Sequence, residues 1–503
     1  MPNYIIAHDL GTSGNKATAF NEHGVLVYSH TFSYDAHFFD KKRAEQDPND
    51  WWKAICVCTQ AILKVIPAKD IAAITFSGQM QGCLCVDSSG EPLHNSIIYC
   101  DQRAEAEMDQ LVNELGYSFM YKTTGHRPSS TYSIEKLMWI KKQNPEIYKR
   151  TCKMLQAKEF IIHKLTNNFI TEANDASGTN AYDLHTHSWS KDILHVGKID
   201  SNILPDIYNS TDIVGHITES AARATGLLSG TPVIAGAGDG GCATIGAGSI
   251  KPGITYSYVG SSAWTSTTAT EPIDDPSMRT FTWAHPIKGL YQLCGTMQTA
   301  GSSYSWFIET FLKKFSTMKE SEIYDILDKE VAMAPVGSKG LIFLPYLLGE
   351  RTPWWDPNAK GCLIGLGLDS GTDQVARAIL EGIAMNLNFS YEIFRKQLTI
   401  SSCCMIGGGA RITSLIQILS SVTNLPIQIP KYLEESTSLG AALIGGVGCS
   451  LYPSFDIISK MNPITSQVLP TRDHFEQYQG LQRIFEKAYY ANKQIFQDLS
   501  TLY

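Results

Sequence analysis

The sequence predicts an α/β protein of two related domains, and three observations carry that prediction. The chain has 503 residues, more than one hydrophobic core ordinarily serves. Short apolar runs alternate with segments of helical periodicity, the pattern of α/β architecture. A strand, a Gly/Ser-rich loop and a second strand occur at the N-terminus and again midway along the chain, as two related units would.

Taken in order, residues 4–8 form an apolar run that ends on an acid. Residues 16–20 and 25–28 are further strands, separated by the turn Asn21-Glu22-His23-Gly24. The loop at 9–15 therefore joins two antiparallel strands and does not open a helix. Residues 51–66 have helical periodicity, and 71–77 and 83–87 read as buried strands. Helices are expected at 133–143 and 145–150, a strand at 232–235 and a small-residue helix at 242–248. Strands at 254–259 and 263–268 flank Gly260-Ser261-Ser262 and so repeat the N-terminal unit. The glycine-rich stretch 246–253 marks the crossover, giving expected domains of 1–247 and 248–503.

A net charge of −8 with no basic stripe argues against a nucleic-acid surface. The 12 cysteines include no CxxC pair and no Cys/His cluster of zinc spacing, so buried reduced thiols are expected. No apolar run reaches membrane-spanning length, and the first residues show no leader-like pattern. These features predict a cytoplasmic protein.

Three glycine-rich motifs carry the chemistry. In Asp9-Leu10-Gly11-Thr12-Ser13-Gly14-Asn15 small residues let backbone N–H groups approach phosphate oxygens, and two hydroxyls add donors. The acid at its head suits Mg²⁺ held through water; read alone, the stretch also suits a hairpin turn. Next, Gly236-Ala237-Gly238-Asp239-Gly240-Gly241 matches the dinucleotide fingerprint in form, but no Asp or Glu lies between Gly240 and Thr270 to hold a ribose. What remains is a carboxylate, Asp239, presented among glycines at a strand end as a general base would be. In the third, Gly407-Gly408-Gly409-Ala410-Arg411, successive glycines let a flat ligand lie on backbone, although a flexible turn reads the same way. There is no Walker loop, no nucleophile elbow and no protein-kinase signature.

The order and spacing of these motifs resemble the FGGY carbohydrate kinases, and within that family the xylulose-kinase group. The likeness also includes Glu45-Gln46-Asp47-Pro48 with Trp51-Trp52, Ser77-Gly78-Gln79-Met80-Gln81-Gly82 and Lys136-Leu137-Met138-Trp139. It continues through 344–353 and Ser438-Leu439-Gly440-Ala441-Ala442. The resemblance implies two actin/hexokinase-like (ribonuclease H-like) domains with sugar and ATP between them. It implies transfer of phosphate from ATP to a sugar, D-xylulose first, with Asp239 as base and Asp9 organising Mg²⁺. It further implies phosphate contacts from Gly11, Thr12, Ser13, Gly260, Ser261 and Ser262. Gly407, Gly408, Gly409, Ala410 and Arg411 would follow the adenosine, and Gln79, Met80, Gln81, Gly82, Asp101 and Arg103 would face the sugar. Family habit adds a possible homodimer, and a non-catalytic sensor of the same fold is the alternative of another class.

Several positions depart from the xylulose-kinase pattern. Gln81 stands where histidine is usual, Gly240 where Asn or Gln follows the base, Tyr99 for Trp and Ser261 for Thr. Gln81 and Gly240 sit where sugar hydroxyls would be read, which leaves other ketoses, polyols and aldonates such as gluconate open. His8 is expected to face away from Asp9, because side chains alternate along a strand. Glu45, Asp47, Trp51 and Trp52 are expected to cap and pack a helix start, and Glu350 with Arg351 to form an ion pair. The surroundings of Trp354 and Trp355 stay open.

Overall fold

The computed structural model describes residues 3–40, 42–313 and 317–502. The first sheet is built from β1 (Tyr4–Leu10), β2 (Gly14–Asn21), β3 (Leu26–Ser33), β4 (Ile71–Gly78), β5 (Ile213–His216), β6 (Pro232–Ile234) and β7 (Ala237–Gly238). Its order is β5-β6-β4-β1-β2-β3, with β7 also pairing with β4. β1, β2 and β3 form an antiparallel meander, whereas β4 runs parallel to β1. The strands expected at 4–8, 16–20 and 25–28 thus exist and run longer than the apolar signal, because ladder pairing continues past the last apolar residue.

The second sheet contains β8 (Thr255–Val259), β9 (Ala263–Ala269), β10 (Phe281–Ala284), β11 (Tyr291–Met297), β12 (Cys403–Ile406), β13 (Ile427–Pro430) and β14 (Ile464–Val468). Its order is β10-β11-β9-β8-β12-β13-β14. β8, β9 and β11 form the meander, β12 is parallel to β8, β13 is parallel to β12 and β14 is antiparallel to β13. The spatial order and strand directions of the first sheet are therefore repeated, with β10 added at one edge, β7 without a counterpart and the outer pair in the opposite chain order.

Helix α1 (Pro48–Leu63) opens on Asp47, whose side chain accepts from Asn49 N–H, and buries Trp51 against the first sheet. Helices α2 (Ser133–Gln143) and α3 (Ala157–Thr166) belong to a long excursion between β4 and β5. Helix α4 (Asp239–Gly246) starts directly on the acid. Helix α5 (Thr372–Phe394) lies in the second core, and α6 (Thr413–Thr423) follows the glycine-rich segment. Helix α7 (Ser436–Gly448) crosses from the second repeat to the first, where Leu439, Leu443 and Ile444 pack with Ile5, Ala7 and Ala73. Burying three such aliphatic side chains contributes about 1.5–3 kcal/mol each.

α4 and α7 cross backbone to backbone. A Cβ on Gly440 would fall 1.8 Å from the Cys242 carbonyl oxygen, and one on Gly246 would fall 1.8 Å from that of Ser436. Only glycine permits that approach. All 12 cysteines are free thiols. Among the described residues no helix is long and apolar enough to cross a membrane.

Candidate active site

The pleat of β1 separates two neighbours of opposite fate. Ile6 and Leu10 point to the α1 side, Ile5 and Ala7 to the α7 side. His8 goes with the first pair: its ring meets Thr59 Oγ1 on α1 at 3.2 Å and Asn15, and stacks on Phe76. Burial lowers its pKa to about 3, so it is a neutral core histidine. Asp9 faces the other way, accepting a 2.8 Å hydrogen bond from Ser77 Oγ. Burial raises its pKa, against the pull of Ser77 and Lys16.

The loop after Asp9 is braced from behind. Gly11 N–H donates to Gly14, while the Gly11 and Thr12 carbonyls accept from Tyr34 Oη at 2.7 Å and Gln46 Nε2 at 2.6 Å. With its carbonyls used, the loop presents the exposed Ser13 and the half-buried Thr12. Gln46 also accepts from Gln79 Nε2 at 2.6 Å, tying the loop to the next segment.

That segment, Gln79-Met80-Gln81-Gly82, continues from the end of β4, and Gln79 N–H donates to the Leu10 carbonyl at 2.8 Å. Gln81 has φ 64, a left-handed conformation unusual for a residue with a side chain. It is held there by Lys136, whose Nζ donates to the Gln81, Ile98 and Thr131 carbonyls. Burial lowers the Lys136 pKa to about 8.

Asp239 arrives on the other side of β4. Ala237 and Gly238 pair with Ser77 and Gly78, so a single strand separates the Asp9 and Asp239 backbones. Asp239 directly follows the end of β7, as expected from sequence, and is also the first residue of α4, where its own turn supplies a 2.7 Å bond from Gly240 N–H. Its side chain is open to solvent but walled by protein, and desolvation with the nearby Asp9 charge lifts its pKa to about 7. That is the range in which a carboxylate works as a base near neutrality.

In the second repeat, the Gly260 and Ser261 carbonyls accept N–H groups from Ala300, Gly301 and Ser302, which leaves the Ser261 and Ser262 side chains exposed. Gly407-Gly408-Gly409-Ala410 leaves the end of β12, which pairs with β8 up to Tyr258 and Ile406. Both segments therefore leave the same end of two neighbouring parallel strands in the middle of the second sheet. Gly409 and Ala410 are buried, Gly408 is exposed, and Arg411 turns outward to Glu434 at 2.7 Å.

Asp101, Arg103, Glu350, Trp354 and Trp355 have their side chains committed to contacts within the protein. Asp101 is fully buried, accepting from Ala44 N–H and from Arg103, while Arg103 also pairs with Glu45 at 2.8 Å. The pair thus braces the short strand Ala44–Gln46, whose last residue, Gln46, holds Gln79. Glu350 and Arg351 do not form the expected ion pair: Glu350 accepts the Gln298 and Arg351 backbone N–H groups, and Arg351 is exposed. Sequence alone left no clue to this preference for backbone donors. Trp354 stacks on Tyr489 at 4.0 Å, and Trp355 donates to the Arg279 carbonyl, so both are packing residues.

Three residues outside the motifs reach the Asp239 turn. Asn174 accepts from Gly238 N–H at 3.0 Å, Gln292 Nε2 donates to the Gly240 carbonyl at 3.2 Å, and the Trp283 ring lies over Gly240. No sequence signal marked them, because each reaches the site from a distant element.

Two acids at adjoining strand ends, with hydroxyl-bearing loops on two repeated sheets, define a phosphoryl-transfer enzyme of actin/hexokinase-like fold. Comparison with known proteins supplies the family. Residues 4–246 match the FGGY family of carbohydrate kinases, N-terminal domain, and residues 255–449 match its C-terminal domain. A xylulose kinase of Staphylococcus xylosus is 30% identical over 490 residues, covering 97% of this chain and 99% of the relative. A gluconokinase of Bacillus subtilis is 29% identical over 496 residues, covering 96% and 95%. The solved structure of a ligand-bound xylulose kinase from Lactobacillus acidophilus superposes with a TM-score of 0.92 at 28% identity, covering 99% of each chain. The chain belongs to the FGGY family of carbohydrate kinases and is a sugar kinase.

Proposed function

We propose that this kinase transfers the terminal phosphoryl group of ATP to D-xylulose, giving D-xylulose 5-phosphate and ADP. The observation that carries the reading is Asp239, a carboxylate lifted to about 7 and separated from Asp9 by a single strand. In the reaction the sugar hydroxyl gives its proton to the Asp239 carboxylate. A sugar-oxygen–phosphorus bond forms, the bridging phosphorus–oxygen bond breaks, and ADP leaves. Phosphoryl transfer asks mainly for alignment and charge neutralisation. Gly11, Thr12, Ser13, Gly260, Ser261 and Ser262 would grip the phosphates, with Gly407, Gly408, Gly409, Ala410 and Arg411 along the adenosine.

The donor set fits Mg²⁺. Asp9 offers hard oxygen ligands, and Lys16, whose field reaches it, pairs instead with Glu435 at 4.0 Å. Two neighbouring carboxylates thus leave negative charge for a cation to balance, and Asp9 would hold Mg²⁺ through water. When bound, the ion supplies charge neutralisation at the transferred phosphoryl.

Gln79, Met80, Gln81 and Gly82 would face the sugar, with Asp101 and Arg103 bracing the strand that holds Gln79. The lobes would divide near residue 248, between the two family matches. A second reading, gluconate as acceptor, is favoured by Gly240, which places no polar side chain after the base, and by the gluconokinase relative. ADP release measured across D-xylulose, L-xylulose, D-ribulose, L-ribulose, glycerol and gluconate separates the two. Highest turnover on D-xylulose supports the first reading. No turnover on any of the six would overturn the assignment.

A further inference from the structure

The turn that carries Asp239 is gripped on both sides of the acid, and most of that grip comes from the second repeat. On its N-terminal side, Asn174 Oδ1 accepts from Gly238 N–H at 3.0 Å, while Asn174 Nδ2 donates to the Ala284 carbonyl at 2.7 Å. Asn174 is thus a strut from the residue before Asp239 to the end of β10. On the C-terminal side, Gln292 Nε2 donates to the Gly240 carbonyl at 3.2 Å. Trp283 and Gln292 are directly opposed across β10 and β11, so one rung of the second sheet touches the residue after Asp239 twice.

The packing at Gly240 is closer than any side chain allows. A Cβ there would lie 2.4 Å from Trp283 Cζ3 and 3.3 Å from two further indole carbons. The departure at Gly240 therefore has a partner: the indole fills the space that a side chain after the acid would take. β11 then continues to Met297, opposite Ala263. Just beyond it, Ala300, Gly301 and Ser302 N–H groups brace the Gly260-Ser261 loop. The same strand holds the turn of the acid at one end and leads to the brace of the second loop at the other.

We propose that Trp283 and Gln292 of the second repeat, with Asn174 of the first as the strut between them and the turn, are positioning residues that set the Asp239 carboxylate. Gly240 and Trp283 form a matched pair within that device. The inference rests on Asp239 being the base, as argued above. An error of about 1 Å in placing a reacting group costs on the order of a hundredfold. Loss of the grip therefore lowers kcat and leaves sugar KM nearly unchanged, whereas a change in sugar reading would move KM.

The test uses the full chain with ATP, Mg²⁺ and either D-xylulose or gluconate. Gly240→Ala and Trp283→Ala are each expected to lower kcat about tenfold or more, with KM for the acceptor within threefold. The double variant should be no slower than Trp283→Ala alone, because removing the indole frees the space that the methyl needs. Gln292→Met, which keeps the side-chain shape and removes the donor, guards against loss of folding. Hydrogen exchange of residues 238–246 supplies a readout that needs no turnover. Faster exchange there in Asn174→Ala and Gln292→Met, with 255–269 unchanged, is the expected result. Gly240→Ala within twofold of the parent, double-variant losses that multiply, or unchanged exchange at 238–246 would each overturn the proposal. A parent enzyme inactive on every acceptor would overturn the function reading instead, and the exchange result would still decide the grip.

Discussion

The two repeats share a strand order and differ in what they present at the same place. In the first, the last pair of the leading hairpin is Leu10 with Asn15, and the residue before it is Asp9, opposite Lys16. In the second, the last pair is Val259 with Ala263, and the residue before it is Tyr258, opposite Trp264, with the two rings stacked at 4.1 Å. The helices that cross between the repeats differ in the same sense: α4 begins on Asp239 and α7 on Ser436. Both acids with raised pKa at the loops, the half-buried Asp9 and the solvent-open Asp239, thus lie in the first repeat, and the second offers aromatic rings, hydroxyls and bare backbone. A duplicated scaffold supplies two similar strand-end loops, and substitution at matched positions confines the acids to one of them.

The largest test of that division is Asp239→Asn, which keeps the shape and removes the base. We expect kcat to fall by about 10²–10⁴-fold in a steady-state ADP-release assay, while a Tyr258→Phe change on the matched side leaves it within a few-fold. Full turnover in Asp239→Asn would end the assignment of the base.

Next in size is the crossing that joins the repeats. Gly440→Val drives a side chain into the Cys242 carbonyl, and overpacking of this kind costs about 1–3 kcal/mol or more. A drop in thermal midpoint is the expected readout. An unchanged melting curve would mean that the helices do not cross as described.

Ser261→Ala removes one hydroxyl donor from the second loop. A hydrogen bond to a charged group contributes about 1.5–3 kcal/mol, so KM for ATP should rise about tenfold or more. Sugar KM should hold, since the proposed acceptor residues Gln79, Met80, Gln81 and Gly82 lie in the first repeat.

The smallest effect is a shift along the pH axis. A base at Asp239, as proposed, works deprotonated, so kcat should decline as pH falls through about 7. Removing the Asp9 charge lowers the Asp239 pKa, and the residual activity of Asp9→Asn should therefore show its acid limb at lower pH. A limb that stays in place would mean that the two carboxylates do not sense each other.

Much of this molecule was open to reading from residue order alone. The hairpins around residues 9–15 and 260–262 were set by apolar runs of strand length interrupted by Gly, Ser and Thr, a local pattern that local chemistry enforces. The direction of His8, away from Asp9, followed from strand alternation. The family followed from the motifs at Asp9, Gly78, Asp239 and Gly407, because backbone-lined ligand sites constrain residue type within a few positions of one another.

What the tertiary structure alone decided depends on contacts between residues far apart in the chain. Gly240 reads in sequence as a missing sugar contact, and only the fold shows Trp283 filling its space. Asp101 and Arg103 read as sugar-facing and are paired with Ala44 and Glu45. Glu350 takes two backbone donors where a neighbouring arginine stood ready in sequence. The pKa of Asp239 belongs to the same class, since it is set by burial and by a carboxylate 230 positions earlier, Asp9. Sequence fixes which groups are available within a few residues; packing decides which distant groups surround them, and desolvation and excluded volume act through those surroundings.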